Sequence, residues 1–269
     1  MPLRCTTLLT AALLTAAPLA ATALPASAAT CTAPKVVLTQ VNPSPVVVGA
    51  TGTAGFDLFV VVRANGCAVS KVTALVTSPT KGTVDMELGE EGTEGGLTAY
   101  AVGLDIPASE LQNRDAGSWR VRTATHWSNP DAVSSTTSDD DETEVEEQEP
   151  VVTNVKVPVL AASNLTARAT SADLKKGKIT KGKVLTVSGV LSRANWEAGR
   201  DTGYAKQKVD LQFRTTKGTF KKVRTLQTRS GGAFAEKVKV DRDGCYRVVF
   251  TGNTTTAPDP SKAECIDVR

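Results

Sequence analysis

The feature that most constrains this chain is a two-residue apolar period, repeated in short runs and broken by Gly, Pro, Asn and Asp. Phe56, Leu58, Val60 and Val62 share one side of a run whose other side carries Asp57 and Arg63, with Phe59 and Val61 making that second side partly apolar. Val209, Leu211 and Phe213 alternate with Lys208, Asp210, Gln212 and Arg214. The same logic recurs at Leu185, Val187 and Leu191, at Phe234, Val238 and Val240, and at Tyr246, Val248 and Phe250. Residues 72–76, 84–88, 99–104 and 119–123 are apolar runs of strand length. The i, i+3, i+4 recurrence of helices is absent. Successive side chains of a strand point to opposite faces, so this pattern describes sheets with one buried and one wet face. Many short strands separated by turns predict an all-β chain of sandwiches or barrels.

The first 28 residues stand outside that pattern. Arg4 precedes the apolar stretch Leu8–Ala21, and Ala26-Ser27-Ala28 has the small-residue form of a cleavage site, so residues 1–28 read as a secretory signal peptide. Thr10, Thr15, Pro18 and Thr22 interrupt the stretch, which leaves it too short to span about 30 Å of hydrocarbon. Cys5 would leave with the signal. Cys31, Cys67, Cys245 and Cys265 remain, and an even number in an exported chain favours disulfides with three connectivities. Proximity in sequence suggests Cys31 with Cys67 and Cys245 with Cys265. A zinc site would need C-x-x-C spacing and neighbouring histidines, and neither occurs. The expected product is a secreted, extracellular protein with no membrane span.

Charge divides the mature chain into three. Residues 29–130 carry 7 Lys and Arg against 9 Asp and Glu; residues 131–154 carry none against 9; residues 155–269 carry 23 against 10. The net charge of +3 therefore averages a mildly acidic lobe, an acidic segment and a strongly basic lobe. The segment 131–154 includes Asp139-Asp140-Asp141-Glu142, then Glu144, Glu146, Glu147 and Glu149, with little apolar content. It cannot bury enough surface to offset its ordering entropy and reads as a disordered acidic linker. The expected domains are then 29–130 and 155–269.

The lobes share a local signature. Gly117-Ser118-Trp119-Arg120-Val121 in the first matches Gly244-Cys245-Tyr246-Arg247-Val248 in the second, as a glycine turn feeding a strand whose aromatic enters the core would require. Lys175-Lys176-Gly177-Lys178, Lys183-Val184-Leu185-Thr186-Val187-Ser188-Gly189, Gln207–Phe213, Gly231-Gly232-Ala233-Phe234 and Tyr246–Gly252 together resemble the immunoglobulin-like β-sandwich modules common in secreted proteins of actinobacteria. The first lobe, through Ala116–Val121, is similar to related modules more loosely. The resemblance implies fold and export, a role as spacer or binding platform, and no catalytic residue. It also implies adjacent late strands for Cys245 and Cys265, which suits a bridge.

Chemistry is sparsely provided. His126 is the only histidine, in Thr125-His126-Trp127-Ser128-Asn129-Pro130, and reads as an exposed loop residue closing the first lobe. Asp85, Glu87, Glu90, Glu91 and Glu94 are punctuated by Gly89, Gly92, Gly95 and Gly96, the composition of a mobile acidic hairpin loop. No nucleophile elbow or phosphate loop is present. Adjacent acids at 139–142 lack the spaced ligands and glycine turn of a calcium loop. The expectation is a non-enzyme with no catalytic residue, metal or cofactor.

The basic lobe carries the strongest physical signal. Alternation sends Lys206, Lys208, Arg214, Lys237, Lys239 and Arg247 outward, and Lys175, Lys176, Lys178, Lys181 and Lys183 cluster before the Leu185 run. Such a surface attracts polyanions, an anionic cell-wall polymer or an acidic protein or polysaccharide. Specific nucleic acid recognition is not expected, because no recognition helix or RNP motif occurs and outward aromatics are few. Trp196 is the one candidate for an exposed stacking platform; packing inside is the commoner fate of a tryptophan. The acidic segment, tethered to the basic lobe, is expected to cover part of the cationic face and compete with polyanions. The function expected is a secreted non-catalytic binding module; the alternatives are a secreted enzyme or inhibitor with a loop-built site, or a passive spacer.

Overall fold

Strand follows strand through the computed structural model, which describes residues 31–131 and 146–269 and contains no α-helix among them. The expected signal peptide and most of the expected acidic linker lie outside the described residues.

The first lobe holds β1 (Lys35–Asn42), β2 (Val46–Val48), β3 (Thr53–Arg63), β4 (Ala68–Ser78), β5 (Gly82–Glu94), β6 (Leu97–Pro107), β7 (Gly117–Ser128) and β8 (Glu147–Ala161). They form one ribbon in the order β1-β3-β6-β5-β4-β7-β8-β2. The ribbon folds over on itself at β5, whose residues 82–88 pair with β4 and whose residues 89–94 pair with β6. The two halves bury Phe56, Leu58, Val60 and Val62 of β3 against Val72, Ala74 and Val76 of β4 and Trp119 and Val121 of β7. Each of the larger side chains contributes about 2 kcal/mol by leaving water.

The second lobe holds β9 (Ser163–Thr170), β10 (Lys178–Ile179), β11 (Val184–Asn195), β12 (Arg200–Gly203), β13 (Lys208–Arg214), β14 (Lys221–Gln227), β15 (Ala233–Lys239), β16 (Gly244–Phe250), β17 (Asp259–Pro260) and β18 (Glu264–Val268). One sheet centres on β11, flanked by β9 on one edge and by β15 and β12 on the other. The facing sheet runs β10-β18-β16-β13-β14. Leu185, Val187 and Leu191 pack across the gap against Val209, Leu211, Tyr246, Val248 and Phe250. At Gly189 a Cβ would sit 1.9 Å from the Thr166 carbonyl oxygen, so only glycine admits β9 so close to β11.

Both lobes are immunoglobulin-like antiparallel sandwiches by their own pairing. In the first, β4-β7-β8 is closed by β2, which pairs with β8 in parallel; in the second, β13-β16-β18 is closed by β10, parallel to β18. The opposite layers, β1-β3-β6 and β9-β11-β15, also correspond. The shared signature falls on equivalent strands: Gly117 opens β7 and Gly244 opens β16, and Trp119 and Tyr246 enter the two cores at 6% and 7% exposure.

Three expectations are corrected. The first lobe does not end at 130, nor the second begin at 155, because Glu147–Ala161 is one strand paired along β7 and belongs to the first lobe. The acids of 85–94 ride on β5 rather than in a loop; Gly92 takes φ 148° at a bulge, and the turn falls at Gly95 and Gly96. His126 lies within β7, with Nε2 3.3 Å from the Thr73 hydroxyl.

Both disulfides join the pairs that proximity suggests, Cys31–Cys67 and Cys245–Cys265. Cys245 and Cys265 face each other directly across β16 and β18. Replacing both by serine is expected to lower the unfolding free energy by about 3 kcal/mol in the loop-closure account. Urea denaturation reads this, and a loss under about 1 kcal/mol would show that strand pairing alone holds the C-terminal strand.

The lobes meet end to end. Among the described residues, the hydrogen bonds between them cluster where β8 passes into β9 and at the turn Trp196–Gly199: Ala194 N–H donates to Ala162 O, Ala161 N–H to Thr255 O, and Trp196 Nε1–H to Gly49 O. From that junction β7 and β8 run away to Ser128 and Glu147, while β11 and β15 run the other way to Val184 and Lys239.

Candidate functional site

In the first lobe, β5 joins the two layers along one side. The second lobe has no such strand. Its β14 pairs only with β13 and its β15 only with β11, so two strand edges face each other across an open side. Between them lies a cleft of about 770 Å³, lined by Arg214, Lys221, Lys222, Arg224, Lys237, Lys239 and Arg242, with Glu236 and Asp241 as its only acids. Phe213 and Tyr246, their ring centres 4.8 Å apart, close its base.

Local sequence explains the lining. Leu211 pairs with Arg224 and Gln212 with Lys222, so Val223 is an extra residue and the register slips by one. That bulge turns Arg224 toward the cleft, where it pairs with Glu236, and Lys222 toward Asp210 at 3.6 Å. Arg242 engages its neighbour Asp241 at 2.7 Å and holds that carboxyl below the usual carboxylate range. Burial pushes the Tyr246 phenol up, with the Asp241 carboxylate adding to the effect. Arg214, Lys221, Lys237 and Lys239 make no ion pair among the described residues. Exposed ion pairs are worth about 0–1 kcal/mol, so these pairs hold their cations only weakly.

Phe220 organises the rim. The Arg247 guanidinium lies 4.0 Å and that of Arg214 4.9 Å from its ring centre. Arg247 Nε–H donates to Gln212 Oε1 at 2.9 Å, whereas Arg214 Nε is buried without a partner.

The structure does not bring the eleven expected polyanion-binding residues onto one face. Arg214, Lys237 and Lys239 line the cleft. Lys175, Lys176, Lys178, Lys181 and Lys183 edge the free end of the lobe beyond it; Lys176 takes φ 51°, Lys181 N–H donates to Arg269 O, and Lys183 lies 3.6 Å from Asp173. Lys206 sits in the turn before β13 at φ 60°, and Lys208 opens β13 opposite Gln227, both toward the junction. Arg247 faces outward from β16 beside Gln212. Lys221, Lys222, Arg224 and Arg242 were not among the eleven. The signal for three of them was the density of Lys217, Lys221, Lys222 and Arg224 within eight residues, which strand alternation alone passes over.

Trp196 is 4% exposed and belongs to the core of the first lobe, so it offers no stacking platform. Among the described residues no group of three or more His, Cys, Asp or Glu could hold a metal ion. No helix there is long and apolar enough to cross a membrane.

No family model and no curated protein matches the chain. Among solved structures, a DUF4785 family protein from Legionella pneumophila is 13% identical over 82% of this chain and 56% of its own, with a TM-score of 0.35. The chain thus spans a little over half the length of that protein. The D00–D0 domain of intimin is 13% identical over 85% and 99%, TM-score 0.26, and a titin fragment, A168–A169, 12% identical over 88% and 100%, TM-score 0.22. At these scores the assignment to the immunoglobulin-like class stands on the chain's own strand pairing.

Proposed function

We propose that this chain is a secreted, non-catalytic binding module whose second lobe holds an anionic cell-wall polymer, or an acidic protein or polysaccharide, in the β14–β15 cleft. The observation that carries this reading is the cleft itself, where seven cationic residues and two acids line the space between strand edges that have no partner. Low-dielectric walls focus such a field and raise the local concentration of anions. Two disulfides fit an oxidising compartment outside the cell. The passive spacer is the second reading, favoured by the locked junction at Trp196.

Binding of heparin, as a defined anionic polymer, separates the two. Affinity is expected to fall steeply with salt as counterions are released. The variant K221E/K237E/K239E is expected to bind about 100-fold more weakly, at roughly 1 kcal/mol for each reversed charge. K206E/K208E, reversing two cations toward the junction, is expected to bind within about threefold of the native chain. Equal losses in both variants would replace the cleft by diffuse charge, and absence of salt-dependent binding would leave the spacer.

A further inference from the structure

The two charged parts of the molecule lie at opposite ends. Glu90, Glu91 and Glu94 are exposed on β5 where it approaches its turn, and Asp131, Glu146, Glu147 and Glu149 lie where β7 ends and β8 begins; both places are at the end of the first lobe away from the junction. Between Asp131 and Glu146 the sequence adds Asp139, Asp140, Asp141, Glu142 and Glu144. The bases nearest these acids are Lys35, Arg63 and Lys71, so this end is strongly negative. The cleft lies in the half of the second lobe away from the junction, between Phe213–Arg224 and Glu236–Arg242.

Distance forbids the two from meeting within one chain. The 15 residues of β8 alone span about 50 Å between the acidic end and the junction, at about 3.3 Å per residue. Residues 132–145 are fixed at both ends to that far end, so they reach at most about 25 Å from it, half their extended length. Covering of the cationic face by the chain's own acidic segment, expected from the sequence, is therefore ruled out by geometry.

We infer that the chains associate end to end, the acidic end of one copy occupying the basic cleft of the next. This rests on the reading of the cleft as a polyanion site. Charge complementarity selects the partner, and the vacant side of the second lobe, where the first lobe carries β5, leaves two unpaired strand edges open beside its cations for the acidic end of the next copy. The interface joins different surfaces, so its repetition builds a row or ring of copies, or an antiparallel pair in which the contact is made twice. The association is electrostatic and responds to salt.

Sedimentation velocity on the full chain tests this. At about 20 mM salt the sedimentation coefficient is expected to rise with concentration, and at about 300 mM, where the Debye length is near 6 Å, to return to the monomer value. K221E/K237E/K239E is expected to stay monomeric. A second variant, E90Q/E91Q/E94Q/D131N/D139N/D140N/D141N/E142Q/E144Q/E146Q/E147Q/E149Q, keeps the cleft and the length of the chain and is also expected to stay monomeric while binding heparin as the native chain does. Mixed together, the two variants are expected to form a one-to-one complex and nothing larger, because one retains only the acidic end and the other only the cleft. A native chain that is monomeric at low salt but binds heparin overturns the association and leaves the polyanion reading intact. Association that survives in the second variant overturns the acidic end as occupant, and failure of heparin binding removes both readings.

Discussion

Trp196→Ala is expected to cost about 3–5 kcal/mol and to split a single thermal unfolding transition into two. Trp196 tops the hairpin between β11 and β12, yet its side chain is buried in the core of the other lobe. Its indole N–H donates to Gly49 O at 2.9 Å and its backbone N–H to Asn113 Oδ1 at 3.1 Å. Asn113 completes the lock by donating from Nδ2 to Asn195 Oδ1 and Glu197 Oε2. Truncation removes the largest apolar group crossing the junction and leaves the Gly49 carbonyl without its donor, so the lobes lose the contact through which one stabilises the other. Trp196→Phe keeps most of the packing and drops the hydrogen bond, for a loss nearer 1 kcal/mol. Calorimetry distinguishes these outcomes; a single transition in the alanine variant, moved by under 1 kcal/mol, would show that the backbone contacts at Ala161 and Ala194 suffice.

What could be read from the sequence follows from where alternation is clean. The runs at Phe56–Val62, Val209–Phe213 and Tyr246–Phe250 lie one face in and one face out, and all are strands with the expected residues buried except Phe213, which is half-buried at the base of the cleft. The repeated Gly-x-aromatic-Arg-Val marks equivalent strands because the physical need is the same in both lobes. β8 was hidden by composition. Its first four residues, Glu147-Gln148-Glu149-Pro150, read as linker, and Pro150 and Pro158 argue against a strand. Both are tolerated because one edge of β8 is unpaired until β2 meets it at Val159–Ala161. The cleft was hidden for a different reason. It exists because a bridging strand is missing from one lobe and because a bulge at Val223 turns two cations, and neither vacancy nor bulge has a periodic signature. Charge totals located the basic lobe correctly, but the sign of a residue does not say which of its neighbours it meets.

Asp115→Ala is the second large effect expected, about 4 kcal/mol, and it concerns a residue to which sequence assigned no role. Asp115 is fully buried, in the short 3-10 turn Asn113–Asp115 that precedes β7. One carboxylate oxygen accepts from the Thr80 backbone N–H at 3.1 Å and from the Thr80 hydroxyl; the other accepts from the Gln112 N–H at 2.9 Å. Its carbonyl accepts the Trp119 indole N–H at 2.8 Å, tying the turn to the aromatic of the shared signature. Alanine preserves that carbonyl but strands three donors away from water, at about 1–3 kcal/mol for each. Asp115→Asn is more informative, because an amide fits the space, accepts on one side only and presents a donor to a donor on the other. It is expected to recover no more than about half of the loss. Near-native stability of the asparagine variant in urea would show that the turn needs shape rather than charge. The expected result instead makes this carboxylate the fastener between the β4–β5 turn and the start of β7, and so of the end of the first lobe on which Asn113 and Trp196 lock the second.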